Sequence, residues 1–96
     1  MINLISNRNF NGNIEEKFNK IENLLQGMVN DRSVPRNIKK IIQEGLKFIN
    51  IDNNPVEFIA SKIISLMKDL SSDNNIPYHS RSTINRVLSI LETIKD

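Results

Sequence analysis

Two aspartates and one histidine are the residues of this chain best suited by type to acid–base or metal chemistry: Asp31, Asp73 and His79. Two carboxylates can share general acid and general base roles when their carboxyl groups lie within about 5–10 Å of each other. The single His79 has no second imidazole beside it in the sequence, and an isolated first-turn histidine reads as a surface residue. Asp is also a turn residue, because its carboxylate accepts backbone N–H bonds from the residues that follow it. The structural reading therefore has Asp31 and Asp73 closing helices and accepting bonds in the next turn. Lys39 and Arg81, eight residues further on in each case, are candidate ion-pair partners for them.

Basic residues form the second constellation. Arg32, Arg36, Lys39 and Lys40 crowd one helix start, and Arg81 and Arg86 follow His79 at another. A helix N-terminus is already positive, so cations there fit a partner that brings negative charge. Arg36, Lys39, Lys40, Arg81 and Arg86 are the candidate anion-binding set, for a nucleic acid or an acidic protein face. The four Phe and the single Tyr are expected mostly in core stripes, so the aromatic interleaving of single-strand binders is not expected. Phe48 and Phe58 fall off the main stripes and form a candidate self-association patch.

Other chemistry has no carrier. The chain has no Cys, hence no disulfide, thiolate nucleophile or cysteine-ligated metal. It has no Gly-rich phosphate loop, no Ser–His–Asp spacing and no metal-ligand cluster. The expectation is a non-enzyme with no cofactor and no bound metal. Its 96 residues suit one domain, 39% apolar and 25% charged, with a net charge of +2 that neither demands nor excludes an anionic partner. No apolar run approaches a membrane span, and no secretory signal is read at the start, so a cytoplasmic protein without membrane contact is expected. The 16 Ile and 15 Asn are a compositional bias, and no exposed Asn is read as a ligand on that ground.

The elements that must position these residues are punctuated by a motif written twice. Asp31-Arg32-Ser33-Val34-Pro35-Arg36-Asn37-Ile38-Lys39 returns 42 residues later as Asp73-Asn74-Asn75-Ile76-Pro77-Tyr78-His79-Ser80-Arg81. Each copy is Asp, three residues, Pro, three residues and a cation, with a β-branched residue before the proline. The structural turn motif is thus Asp31, Pro35, Asp73 and Pro77. Leu24 and Leu66, Ile42 and Ile84, and Leu46 and Leu88 match at the same offset.

Helical spacing fills the intervals. Ile14, Phe18, Ile21, Leu24, Leu25 and Met28 stripe a first helix, with Asn13 and Glu16 at capping-box spacing. Ile38, Ile41, Ile42, Gly45, Leu46 and Ile49 stripe a second, opened by Pro35. A third begins at Pro55, with Asn54 and Glu57 as a second capping pair, and carries Ile59, Ile63, Leu66, Met67 and Leu70. Its added Val56, Ala60 and Ile64 make it the most buried of the four. Pro77 opens the last, striped by Ile84, Val87, Leu88, Leu91 and Ile94. Gly27 and Gly45 are read as a close approach of the first two helices. Residues 1–13 read as an N-terminal arm and residues 14–96 as a single four-helix domain.

Short connections force antiparallel neighbours. The fold expected is all-α, a four-helix up-and-down bundle built from two duplicated helical hairpins. The alternative is two stacked HEAT-like hairpins, since the period is close to HEAT and armadillo lengths and Leu24-Leu25 with Asp31, Val34 and Arg36 looks like a HEAT unit.

The run from Asn30 to Lys39, together with Asn75-Ile76-Pro77-Tyr78-His79-Ser80-Arg81, resembles the archaeal uncharacterised protein family 0147. The resemblance covers about residues 14 to 95 and implies a small all-helical bundle with no established activity. The chain departs from the family in its longer Asn-rich N-terminus and in Lys39, where an Arg is usual. The function expected is a small helical interaction module acting by protein–protein contact, its partner being another protein or a second copy of itself. The alternative is nucleic-acid or ribosome-associated binding through the basic helix starts.

Overall fold

The computed structural model describes residues 12–50 and 54–95. Residues 1–11 of the arm expected over residues 1–13, and the connection at 51–53, lie outside the described residues. Four helices follow: α1 (Gly12–Val29), α2 (Arg36–Ile49), α3 (Val56–Ser71) and α4 (Tyr78–Lys95). No strand occurs among the described residues.

Three helices start immediately after a proline, as the sequence pattern requires. The carbonyls of Pro35, Pro55 and Pro77 accept the N–H groups of Lys39, Ile59 and Arg81 at 3.0, 3.1 and 3.0 Å, the first bonds of each helical ladder. Each proline is thus a flanking cap residue rather than the first helical residue. Pro35 and Pro55 have φ near −60° and ψ near 150°, and neither helix start has a side-chain cap bond. The expected cap at Asn54 does not form, because Pro55 flanks α3, and α1 extends through Asn13 to Gly12, which places Asn13 inside the helix and not at its cap. The fixed φ of the proline pre-sets the angle at which the chain enters the helix, and a proline at the cap position has no side-chain acceptor for the first helical N–H groups.

The duplicated turns are built alike. Asp31 Oδ1 accepts the N–H of Ser33 at 2.9 Å, and Asp73 Oδ1 accepts that of Asn75 at 2.8 Å. The N–H groups of Val34 and Ile76 then donate to the carbonyls of Asp31 and Asp73. The residue before a proline is held extended, which here drives Val34 and Ile76 inward. They are 3% and 5% exposed, each contributing about 1.5–3 kcal/mol by burial. The β-branched residue in each motif is a plug for that end of the core.

α1 packs against α2 and α4, and α3 packs against the same two. The α1–α4 contact closes the ring, so the molecule is a four-helix bundle and not a stack of two hairpins, in which α1 would rest on α3. The interior is filled by the expected stripes, including Phe18, Ile21, Leu25, Ile42, Ile63, Met67, Ile84 and Leu91. α3 buries seven residues against four on α2, as its broader stripe predicts.

The two glycines do not do what their spacing suggested. Gly45 is buried against α3, where an added Cβ would sit 3.4 Å from both Ile63 Cδ1 and Leu66 Cδ1. Gly27 is exposed, with nothing within 4 Å of such a Cβ. The close approach is therefore between α2 and α3, and Gly27 opens a space instead of permitting a contact.

Candidate functional site at the paired turns

In an up-and-down bundle both duplicated turns lie at one end, and there Asp31 meets His79 of the other copy. Asp31 Oδ2 accepts a bond from His79 Nε2 at 2.7 Å, while Oδ1 accepts both the Ser33 N–H and the Ser33 hydroxyl, the latter at 2.6 Å. Those donors hold the Asp31 carboxyl at about 2, below its ordinary 3.8; the Ser33 hydroxyl contributes most, then the Ser33 N–H, then His79. The carboxylate is ionised throughout the neutral range.

Ser33, His79 and Asp31 are thus gathered at one point, but not as a catalytic relay. In a relay one imidazole nitrogen faces the carboxylate and the other faces the hydroxyl. Here Nε2 faces both, lying 3.3 Å from Ser33 Oγ, and the hydroxyl proton is directed to Asp31. The arrangement clasps the α1–α2 turn to the start of α4. Asp73 has no corresponding histidine, because Asn37 stands at that position of the first copy.

The predicted Asp–cation pairs do not form. Among the described residues the ion pair found is Asp31 with His79, and neither Lys39 nor Arg81 is paired with a carboxylate. Arg81 instead donates from Nη1 to the carbonyl of Ser71 and from Nη2 to that of Asp73, the latter at 3.1 Å. The Ser71 carbonyl closes α3 without an intrahelical donor, and that of Asp73 belongs to the turn that follows, where it also accepts the Ile76 N–H. A planar guanidinium can reach both at once, whereas an ammonium acts as a single point charge. Lys39, at the matching position of the first copy, makes no such bond.

Arg36 and Lys40 are exposed and Lys39 is half-buried on α2; Arg32 is exposed in the turn before it. None is in an ion pair among the described residues. Arg86 is exposed but lies eight residues along α4, about 12 Å from its start at the helical rise. Tyr78, expected in a core stripe, is 85% exposed at the first position of α4, beside the clasp. At the other end of the bundle Phe48 packs on the core and stacks on Phe58, with ring centroids 5.5 Å apart and planes tilted by 53°. Phe58 is 52% exposed. Among the described residues no cluster of three or more His, Asp or Glu could hold a metal ion, and no helix is long and apolar enough to cross a membrane.

A closed four-helix bundle of two duplicated hairpins, clasped across its paired turns, is the class of protein these features define. The model of an uncharacterised protein family, UPF0147, matches residues 5–94, and the chain belongs to that family. The match reaches into the segment read as an arm, beyond the residues 14 to 95 that the turn motifs suggested. A UPF0147 protein of Methanothermobacter thermautotrophicus is 36% identical over 81 residues, 84% of this chain and 79% of its own length. One from Saccharolobus islandicus is 39% identical over 82 residues, 85% of this chain and 92% of its own. The crystal structure of a UPF0147 protein from Thermoplasma acidophilum superposes with a TM-score of 0.81 at 24% identity, covering 85% of this chain and 96% of that one. It has the same fold.

Proposed function

We propose that the protein is a small helical interaction module that works by protein–protein contact, with a second copy of itself as the partner. The observation that supports this reading is Phe58, half exposed and held in place by the Phe48 ring. An aromatic side chain fixed by a neighbour loses little freedom on association and contributes a large apolar area. Light scattering across a concentration series tests it. The wild-type protein is expected to associate, and Phe58→Ser to shift the equilibrium towards monomer without lowering thermal stability by more than about 1 kcal/mol. A wild-type protein that stays monomeric at every concentration refutes the reading.

A second reading is nucleic-acid binding through the basic helix starts, and Tyr78 favours it. An exposed aromatic ring at the end that carries Arg32, Arg36, Lys39 and Lys40 supplies the stacking surface that basic single-strand sites use. Binding to single-stranded RNA would weaken with salt, with a log–log slope of about −0.7 for each phosphate contacted. Arg36→Gln with Lys40→Gln would flatten that slope, and Tyr78→Ala would weaken binding at every salt concentration. Absent or salt-independent binding refutes it.

A further inference from the structure

The internal duplication sets two seams of the bundle side by side. On α2, Ile41, Gly45 and Phe48 fall at steps of four and three and share a face. That face meets α3, since a Cβ added at Gly45 would touch Ile63 and Leu66 and the Phe48 ring stacks on Phe58. Ile41, Phe48 and Leu66 are half-buried against the core, and Phe58 stands half exposed beside them. Moved by 42 residues, Ile41, Phe48, Phe58 and Leu66 become Thr83, Ile90, Glu16 and Leu24 of the α1–α4 seam. There an exposed carboxylate stands in place of the Phe58 ring, and a hydroxyl in place of Ile41. The α1–α4 seam is finished for water at these positions, and the α2–α3 seam is left apolar.

The chain carries its own segment to cover that strip. α1 begins at Gly12, and in an up-and-down bundle its start shares an end with the close of α2 and the start of α3, hence with Phe48 and Phe58. Residues 1–11, which precede it, hold Ile2, Leu4, Ile5 and Phe10. Eleven residues of chain reach at most about 36–40 Å. Crossing α2 takes about 8–10 Å, and the strip from Phe58 to Leu66 is about 12 Å long at the helical rise. The charges agree. Arg8 is the one charged side chain of residues 1–11, and Glu57, exposed next to Phe58, forms no ion pair among the described residues.

We propose that residues 1–11 dock on the α2–α3 seam of their own molecule, with Leu4, Ile5 and Phe10 covering the strip from Phe58 to Leu66, and so guard Phe58 against a second copy. A tethered segment acts at an effective concentration of the order of millimolar, so a second copy has to outcompete it for the seam. The guarding role rests on the association reading; the docking does not.

The chain has no Cys, so a nitroxide on Ser6→Cys labels the full chain at one place. α1 lies between α2 and α4, so a segment off the seam would broaden the amides of Phe48 and Ile90, matched positions on those two helices, alike. Docking is expected to give Phe48 and Phe58 paramagnetic relaxation rates severalfold above that of Ile90. Leu4→Ser with Ile5→Ser, both outside residues 12–95, is expected to bring the rates together. Equal rates at Phe48 and Ile90 without those two changes, or unequal rates that persist with them, overturn the docking. A second sample mixes the nitroxide-labelled chain with untagged nitrogen-15 chain. Enhancement at Phe58 there as large as in the first sample places the segment on a second copy and overturns docking within one molecule. Light scattering reads the guarding role. The double variant is expected to associate at severalfold lower concentration than the wild type, because a larger fraction of its surface is competent; association at the same concentration overturns that role. If neither form associates, the association reading fails, and the relaxation rates still decide the docking.

Discussion

Placing a methyl group at Gly27 should stabilise this protein, although the two matching glycines of its first two helices suggested a packed contact. Gly in a helix interior costs about 1 kcal/mol relative to Ala. At Gly27 nothing offsets the gain from replacement, because no atom lies within 4 Å of the new Cβ. Gly27→Ala is therefore expected to raise stability by about 1 kcal/mol, which for a domain of this size is about 4–8 °C in Tm. Calorimetry, with a urea titration whose slope stays unchanged, measures it. Gly45 is the control. Its added Cβ would touch Ile63 and Leu66 at 3.4 Å, so alanine there gains less. Leucine at Gly45 would overpack the α2–α3 contact at a cost of about 1–3 kcal/mol. If Gly27→Ala is neutral or destabilising, or Gly45→Leu is tolerated, the assignment of open and closed sides is wrong.

Three further expectations follow from the turns. Asp31 titrates at about 2 in the folded chain against an ordinary 3.8, so its contribution is complete above pH 4 and is lost as pH falls towards 2. The stability difference between wild type and Asp31→Asn should shrink across that window and stay constant above it; a difference that does not change between pH 5 and 2.5 would sink the assignment. Arg81→Lys should cost about 1–2 kcal/mol by freeing the carbonyls of Ser71 at the end of α3 and of Asp73 in the turn after it, and Lys39→Arg should stabilise by a similar mechanism at the end of α1, both read from urea midpoints. Ser80→Ala should raise the stability of the protein by about 1 kcal/mol, since it removes a buried hydroxyl without a partner; a loss of that size would mean that the hydroxyl is satisfied by water.

The parts of this molecule that depend on a few consecutive residues were legible in the sequence. Prolines 35, 55 and 77 set three helix starts because a fixed φ and a missing N–H act locally. The Asp31 and Asp73 turn bonds span two residues, and the apolar stripes name nearly all of the core. The Asn54–Glu57 pair is displaced because Pro55, and not Asn54, flanks α3, and the Asn13–Glu16 pair because α1 already begins at Gly12. Arg81 was visible as a turn cation, but its choice of carbonyls over a carboxylate depended on where α3 ends.

The candidate site belongs to the other category. Asp31 and His79 are 48 residues apart, and no local rule joins them. Only the closed ring places both turns at one end, and only the rotation of α4 against α1 brings that histidine to that carboxylate. Helix rotation also decides that Gly27 faces open space, that Gly45 faces Ile63, and that Ser80 is buried where its duplicate is Ile38. Periodicity tells which side of a helix is apolar, whereas the packing of four stripes into one interior sets which residues flank the seams between helices.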